Sequence, residues 1–463
     1  MNRIVPAFIF FLFFQSASAQ EIDEKKKLLQ DNCAILTNIS PERYQDGELS
    51  FLKAAIGDRR IVFLGEESHF DGSSLRAKSK VIKYLHEEMD FDILLLEKGF
   101  YETNRAWRDM LEKRDTPLSV FAHLMDIFRV SFSTNLKDLY EYIGEQAATD
   151  RPLIIGGIDI IETSSSYVWG KDYDLKKVMN IIYGEDWNEE TERHFKTIIT
   201  KKDLKDGVTE GFRKEKHLSS IFLVKECEEF MNNGKEVGQE EKMLIRFVIQ
   251  SLISGNNWQS WGEQRPERRK KKGTVLADYY TLRDKYMADN LFWYIEQRYP
   301  DKKIIVSAST YHLSRNVGII QPRPYFLGRD AVPMGHYIWE KYGNDICSIA
   351  FLSHHGKRGN LTVLGHEKKL KNRKKGSIED LMHRAGIKYG FLDLRTLAPE
   401  MAFMKNIQMS ATFNESYRAD WTQIYDGIFF IDQMEPDKSY GVRENFGKKP
   451  PYEPLNNVFL PKD

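Results

Sequence analysis

The chain alternates short, almost wholly apolar runs with longer amphipathic segments, and this alternation constrains its fold more than any other feature. Strands that are covered on both faces have such apolar runs, and amphipathic segments between them are typical of helices. The pattern therefore predicts βα units, and hence an α/β fold with a mainly parallel central sheet flanked by helices. The predicted strands are Ile61–Leu64, Ile93–Leu96, Leu153–Ile158, Lys303–Ala308, Ile346–Leu352, Tyr389–Leu394 and Ile428–Ile431.

Helices are predicted between these strands. One spans Leu75–Met89, and another ends near Tyr299. A third begins after Ser377, a candidate N-cap, and ends before Gly386, because glycine readily takes the left-handed conformation that follows a last helical turn. Between about residues 164 and 272 the strand-like runs disappear and helical periodicity replaces them. We therefore expect a helical insertion or lid in that region.

Composition limits the class of protein. The chain has 463 residues, of which 41% are hydrophobic, so it can bury a sizeable core. Because 68 basic residues balance 68 acidic ones, no net field attracts nucleic acid, and we expect no nucleic-acid partner. The three cysteines, Cys33, Cys227 and Cys347, are too far apart in sequence to predict a zinc knuckle or a disulfide framework.

The N-terminus has the pattern of a secretory signal peptide. Arg3 precedes an apolar run over residues 4–14, and the small residues Ala17 and Ala19 form an A-x-A cleavage site. A membrane anchor is the alternative, but the run is shorter than the roughly 20 apolar residues that span a bilayer. We therefore expect a signal peptide over residues 1–19, a domain over residues 20–463 that is periplasmic or secreted, and no stable membrane span after cleavage.

Polar residues follow four of the predicted strands, where an open α/β sheet binds its ligands. Each such residue alone is more often a helix cap or an ion-pair partner. Together, at one edge of a sheet, they form a candidate site. These residues are Glu66 and His69 after the first strand, Glu97 after the second, Asp159 after the third and His312 after the fourth.

Glu66 and His69 are equipped to activate water. A tight turn at Gly65 would let their side chains share a hydrogen bond, and a histidine supported by a carboxylate can take a proton from water near neutral pH. His312 could be a second proton carrier or a donor to a developing oxyanion. Lys78 could hold a substrate oxygen or tune a carboxylate. The alternatives are that His69 is a buried structural histidine and Lys78 a solvated helix lysine.

A metal-dependent site would use the same residues, since Glu66, His69 and His312 are all of metal-ligating types. The sequence has no His-Glu-x-x-His segment, and the adjacent His354 and His355 should point to opposite faces of their strand. It also has no Gly-x-Ser-x-Gly elbow for a serine nucleophile. We therefore expect neither a metal nor another cofactor.

At these residues the chain resembles the erythromycin esterase family. The order and spacing match from about residue 51 to residue 351, with a weaker match to about residue 432. The segments that carry the resemblance are Ile61–Phe70, Tyr84–Glu88, Leu94–Glu97, Gly157–Asp159, Arg283–Asn290, Met334–Gly335 and Tyr342–Gly343.

The resemblance implies a metal-independent hydrolase that opens the lactone ester of macrolide antibiotics. It implies that His69, the histidine of a Gly-Glu-x-x-His motif, is the general base on water, with Glu66 beside it. His312 matches the second histidine of the family's His-Asn-x-His segment and is the third candidate catalytic residue. Four matched or neighbouring residues are expected to bind substrate or support the site: Lys78, Glu97, Asp159 and Arg283.

The chain departs from the family pattern at three positions. Ser309 replaces the first histidine of the His-Asn-x-His segment, Lys78 replaces an arginine, and Ser73 replaces an acid. Lysine keeps the positive charge but loses the planar, bidentate fork of arginine. The expected function is hydrolysis of a small-molecule ester or lactone. A metal-dependent hydrolase or peptidase and a non-catalytic ligand-binding relative are the alternatives.

Overall fold

A nine-stranded sheet forms the centre of the protein in a computed structural model. The structure describes residues 20–43, 47–112, 135–160, 168–184, 187–200, 210–233, 236–268, 274–322, 331–359, 367–412 and 415–437. The predicted signal peptide over residues 1–19 lies outside these ranges.

The sheet is mostly parallel. Its main path runs β1-β8-β11-β6-β2-β5-β3-β4; the pairs from β11 to β4 are parallel, whereas β8 pairs antiparallel with β11 and with β1, and β7 pairs antiparallel with β6. A separate hairpin is made of β9 and β10. The strands are β1 (Cys33–Ile35), β2 (Ile61–Glu66), β3 (Ile93–Gly99), β4 (Ile154–Asp159), β5 (Ile304–Ser309), β6 (Ile346–Gly359), β7 (Glu367–Lys369), β8 (Tyr389–Asp393), β9 (Ile407–Thr412), β10 (Glu415–Ala419) and β11 (Gly427–Met434).

Helices fill the connections between these strands. They are α1 (Phe51–Ile56), α2 (Gly72–Met89), α3 (Phe100–Glu112), α4 (Lys137–Gln146), α5 (Val168–Tyr183), α6 (Glu189–Ile199), α7 (Glu210–Asn232), α8 (Gln239–Arg268), α9 (Thr274–Trp293), α10 (Thr310–Leu313), α11 (Met334–Tyr342) and α12 (Ile378–Arg384). Residues 20–32 are also helical, and a π-helical turn over Tyr294–Arg298 extends α9.

The predicted α/β fold with a mainly parallel sheet is confirmed, and each predicted strand forms. The apolar runs of the sequence do not predict β1, β7, β9 and β10, which are either three residues long or form the separate hairpin. Ser377 caps α12 by accepting a hydrogen bond from the Asp380 backbone, and Gly386 adopts a φ of +73° after that helix, as expected.

Each central strand is buried on both faces. In β2, Val62 and Leu64 pack into one hydrophobic cluster, whereas Ile61 and Phe63 pack into another on the opposite face. Alternate residues of a strand point to opposite faces, so an apolar run is needed wherever helices cover both sides. This is why the strands are readable in the sequence.

The region between residues 164 and 272 has its own hydrophobic cluster. Its described residues form α5, α6, α7 and α8. Leu175, Phe195, Leu223 and Ile245, one from each helix, are buried together. Because these helices pack mainly through this cluster, they form a helical unit between β4 and β5.

Within the described ranges, no helix combines the length and the apolar character needed to cross a membrane.

Cys33, Cys227 and Cys347 are buried free thiols. Burial raises the pKa of each thiol to about 12, so none is a reactive thiolate at neutral pH.

Gly157→Ala should destabilise the protein. A Cβ at Gly157 on β4 would lie 2.2 Å from the backbone oxygen of Gly99 on β3, where the register of the two strands shifts. Backbone cannot move aside as a flexible side chain can, so we expect a loss of about 1–3 kcal/mol in the free energy of unfolding. Chemical denaturation measures it.

Gly211→Ala is the matched control. Gly211 lies in α7 with open space around its Cβ position, so alanine should leave the free energy of unfolding within about 0.5 kcal/mol of wild type. Equal denaturation midpoints for Gly157→Ala and wild type would show that β3 and β4 are not packed as closely as described.

Candidate active site

Four neighbouring strands bring the predicted site residues to one rim of the sheet. Glu66 and Asp159 are the last residues of β2 and β4, Glu97 is near the end of β3, and His312 lies in α10, directly after β5. The order β2-β5-β3-β4 makes these strands neighbours. Because the strands are parallel, their carboxyl ends meet on the same side.

A glycine on β2 and an irregular stretch of β3 accompany this close assembly. A Cβ at Gly65 would lie 2.9 Å from Thr310 Cγ2 and 3.0 Å from Thr310 Cα, so glycine lets α10 pack directly on β2. On β3, the pairing register shifts between Leu96 and Gly99, which places Glu97 in an irregular stretch. Such bulges redirect side chains and are common beside active sites.

Glu66 holds both His69 and Lys78. Its Oε1 lies 2.9 Å from His69 Nδ1, within hydrogen-bond distance, and its Oε2 accepts from Lys78 Nζ. The turn that returns His69 over Glu66 is closed by a hydrogen bond of 3.1 Å from the Asp71 backbone N–H to the Ser68 carbonyl. Lys78 is buried, so its interpretation as a solvated helix lysine is wrong.

Glu97 joins His69 to the rest of the cluster. Its Oε1 is 3.5 Å from His69 Nε2 and accepts a hydrogen bond of 2.9 Å from Arg283 Nη2. Its Oε2 accepts a 2.9 Å hydrogen bond from the backbone N–H of Ser309. His69 therefore lies between two carboxylates, Glu66 on one nitrogen and Glu97 on the other.

Arg283 binds Asp159, a fully buried carboxylate. Its Nε donates to Asp159 Oδ1 at 3.0 Å, and its Nη2 donates to Asp159 Oδ2, which makes a bidentate pair. Such fork-to-carboxylate pairs are among the strongest hydrogen-bonded contacts in proteins. The Arg283 that Asp159 holds also donates to Glu97, and both Asp159 and Arg283 are buried.

His312 is held in place by Asp284, which is not among the predicted site residues. The two are joined at 2.8 Å through His312 Nδ1, and Asp284 Oδ1 also accepts from the Met334 backbone at 2.7 Å. His312 Nε2 lies 3.1 Å from both Glu97 Oε1 and Arg283 Nη1. Asp284 follows Arg283 in the segment that carried the family resemblance, and that adjacency was the available signal.

Exposure separates His69 from its neighbours. The side chain of His69 is 35% exposed, whereas those of Glu66, Glu97 and His312 are 5%, 5% and 4% exposed. His69 is therefore not a fully buried structural histidine. Among these residues His69 is the one that solvent can reach, whereas His312 is buried and lies beside Glu97.

The carboxylates shift the pKa values of both histidines. Burial lowers the pKa of His69, but the negative charges of Glu97 and Glu66 outweigh burial and raise that pKa to about 10. Burial raises the pKa of Glu66, but Lys78 and His69 outweigh it and lower that pKa to about 2. For His312, Asp284 and Glu97 outweigh burial and raise the pKa to about 9. At rest both histidines are therefore cations at neutral pH.

Glu66, His69 and Glu97 could together offer ligand atoms to a metal, since one atom of each lies within 4.8 Å of the others. His312 does not complete this set among the described residues. Both carboxylates already hold a cation, Lys78 on Glu66 and Arg283 on Glu97. A divalent ion would have to compete with these internal charges.

The expectation that His354 and His355 are kept apart is wrong. Their Nδ1 atoms lie 3.3 Å apart near the end of β6. Gly356, the next residue, has a φ of +115°, outside the range of a regular strand, so the pleat is distorted there. His354 and His355, in the C-terminal half of β6, therefore belong to one group with His383 and Asp432.

The structure shows a specific contact at each of the three positions that depart from the family pattern. Ser309 contributes its backbone N–H to Glu97, a contact that does not depend on its side chain. Lys78 supplies one charge to Glu66. Ser73 accepts a 2.9 Å hydrogen bond from the Glu435 backbone and so ties the start of α2 to the chain after β11.

Known proteins are similar to this chain in sequence or in architecture. YbfO of Bacillus subtilis (strain 168), whose name describes it as a hydrolase, is 28% identical over 319 residues, which is 67% of this chain and 68% of YbfO. Erythromycin esterase type II of Escherichia coli is 22% identical over 400 residues, 82% of this chain and 91% of that protein. The crystal structure of an erythromycin esterase mutant in its open conformation superposes with a TM-score of 0.67 at 18% identity, covering 87% of this chain and 98% of that one.

A family profile gives the assignment. The erythromycin esterase profile matches residues 86–434, well over half of the chain, and begins after the Glu66–His69 segment. The relatives' names and this match together suggest a hydrolase. The chain belongs to the erythromycin esterase family.

Proposed function

We propose that the protein hydrolyses an ester or lactone of a small molecule, with His69 activating the attacking water. The observation that carries the proposal is the position of His69, which is 35% exposed and lies between the carboxylates of Glu66 and Glu97. A base of this kind must touch solvent on one side and be oriented on the other. In this cluster His69 meets both requirements.

In the proposed reaction, neutral His69 takes a proton from water as the oxygen attacks the carbonyl carbon. Glu66 and Glu97 stabilise the imidazolium that forms. When the tetrahedral intermediate collapses, the imidazolium returns the proton to the leaving alkoxide oxygen, which yields an acid and an alcohol. Because every proton moves between His69, water and substrate, the step needs no metal and no covalent enzyme intermediate.

The lactone of an erythromycin-type macrolide is the first substrate to test, since the family resemblance and the name of the Escherichia coli relative both point to it. The signal-like N-terminal segment supports placing the reaction in the periplasm or outside the cell. The balanced charge of the chain favours a small molecule over nucleic acid as the partner.

His69→Ala should reduce hydrolysis at least about 10²-fold, because a general base contributes roughly 10²–10⁴-fold to such reactions. Mass spectrometry of a macrolide and a panel of small esters, incubated with purified protein, measures the addition of one water. The fold should persist because His69 is a partly exposed residue outside the hydrophobic core.

His336→Ala is the matched control, since His336 is 34% exposed and also lies beside a carboxylate, that of Glu340. It should hydrolyse at the wild-type rate. Equal rates for His69→Ala and wild type would remove His69 from the mechanism. Ligand-induced thermal shifts without any product would instead favour a non-catalytic binding protein.

Hydrolysis should rise with pH across the neutral and mildly alkaline range. The pKa of His69 is raised to about 10, so the neutral form that can accept a proton grows about tenfold for each pH unit below that value. The measurement is kcat/KM from about pH 6 to pH 10, with the His69→Ala protein at each pH as the blank. A rate that falls over this range would identify His69 as an acid and not a base.

Glu66→Gln tests the origin of this pH dependence. Removing one of the two carboxylates beside His69 should lower the pKa of His69, so the rise in rate should level off at a lower pH than in wild type. A plateau at the wild-type pH would show that Glu66 does not tune His69. Thermal unfolding of the variant checks that Lys78, which loses its partner charge, has not disrupted the fold.

Removal of metal ions should leave hydrolysis intact. Lys78 and Arg283 already supply the positive charge that faces Glu66 and Glu97. Activity assayed after dialysis against a chelator should stay within about twofold of the untreated protein. Loss of activity that returns on adding zinc would instead support a metal-dependent hydrolase or peptidase.

A further inference from the structure

We propose that the protein has a second site, which binds a divalent transition-metal ion such as Zn²⁺. Its four ligands come from strands β6 and β11 and from helix α12. They are His354, His355, His383 and Asp432, and one ligand atom from each lies within 4.8 Å of the others.

Three elements bring these residues together. His354 and His355 lie on β6, and Asp432 lies on β11, which pairs with β6 in parallel. His383 is in the last turn of α12, just before the chain enters β8. The Asp432 backbone N–H donates a 2.8 Å hydrogen bond to the Lys388 carbonyl, which fixes the end of β11 beside the end of that helix.

The distances between ligand atoms suit a small tetrahedral ion. Bonds of about 2.0–2.1 Å to zinc place neighbouring ligand atoms about 3.4 Å apart. Here the Nδ1 atoms of His354 and His355 are 3.3 Å apart, and His355 Nδ1 is 3.6 Å from Asp432 Oδ1. The other nitrogens lie 4.0 Å from that oxygen for His354 and 2.7 Å for His383.

The ligand types favour zinc over calcium or magnesium. Three imidazoles and one carboxylate match the nitrogen-rich sets that bind zinc, copper or nickel, whereas calcium and magnesium take mainly oxygen ligands. The rings of His354 and His383 stack at 4.0 Å with an angle of 13° between their planes, so one must tilt to aim both nitrogens at one ion. The His383 side chain is 43% exposed and has room to do so.

The charge environment separates this group from the candidate active site. Within the described ranges, the ion pairs of Asp432 at 4.0 Å or less are with the three histidines, and no lysine or arginine is among them. Glu66 and Glu97, by contrast, are each paired with a buried basic side chain. An ion at Asp432 would therefore displace at most a proton and not an internal cation.

Zinc titration of the whole mature protein tests the proposal. Protein purified without a polyhistidine tag is stripped with a chelator, dialysed, and titrated with ZnCl₂ by calorimetry, while elemental analysis gives the bound stoichiometry. We expect one equivalent of zinc, and affinity at least tenfold weaker in Asp432→Asn and in His355→Ala. Both substituted side chains are partly exposed, at 23% and 44%, so both variants should fold.

Two variants outside the group control for binding elsewhere. His336→Ala removes a comparably exposed histidine beside a carboxylate, and Glu66→Gln removes the central ligand of the other possible metal set. Both should bind zinc as wild type does. The proposal is overturned if the wild type binds no zinc, or if Asp432→Asn and His355→Ala bind it unchanged. It is also overturned if Glu66→Gln is the variant that loses binding.

Discussion

Charge balance among buried groups is the constraint on which the candidate active site depends. In the described structure, four acids of the site are paired with two basic side chains and two histidines. The acids are Glu66, Glu97, Asp159 and Asp284, and their partners are Lys78, Arg283, His69 and His312. Burying unpaired carboxylates would cost several kcal/mol each. The cluster is therefore neutral when both histidines carry a proton, and removing the proton from His69 leaves one excess negative charge. This excess negative charge is why the pKa of His69 is raised, which favours the protonated form of its imidazole.

The order of the parallel strands brings these charged groups together and leaves His69 exposed at one side of the cluster. The elements β2, β5, β3 and β4 are neighbours in the sheet, although β5 follows the others by more than a hundred residues in sequence. Arg283, on α9, reaches across the rim to bind Asp159 and Glu97 together. Because these groups fill the space beneath, His69 is the member of the cluster with substantial exposure. The fold thus leaves His69 accessible while it buries the neighbouring groups of the cluster.

Local sequence patterns predict the strands and the residues at their ends. They do not predict contacts between residues that are distant in sequence and meet only in the folded protein. Apolar runs predicted the central strands, and the strand-end rule selected Glu66, Glu97 and Asp159. Asp284 was missed because its partner, His312, is 28 residues away and becomes a neighbour only through packing. The burial of Lys78 was left open for the same reason, since a lysine on an amphipathic helix is solvated unless a buried acid meets it. The histidine group around Asp432 was missed because regular strand geometry separates adjacent side chains.

The departures from the family pattern change side chains beside the buried carboxylates of the site but keep its charge balance. Ser309 still donates its backbone N–H to Glu97, so replacing a histidine there removes a side chain without removing that hydrogen bond. Lys78 still neutralises Glu66, but an ammonium group is a single point charge, whereas an arginine fork could hold a second oxygen. Both changes leave in place Glu66 and Glu97, the carboxylates that raise the pKa of His69, while altering the side chains beside them. Under the proposed function, these changes should alter which ester the protein binds, and not the ability of His69 to accept a proton.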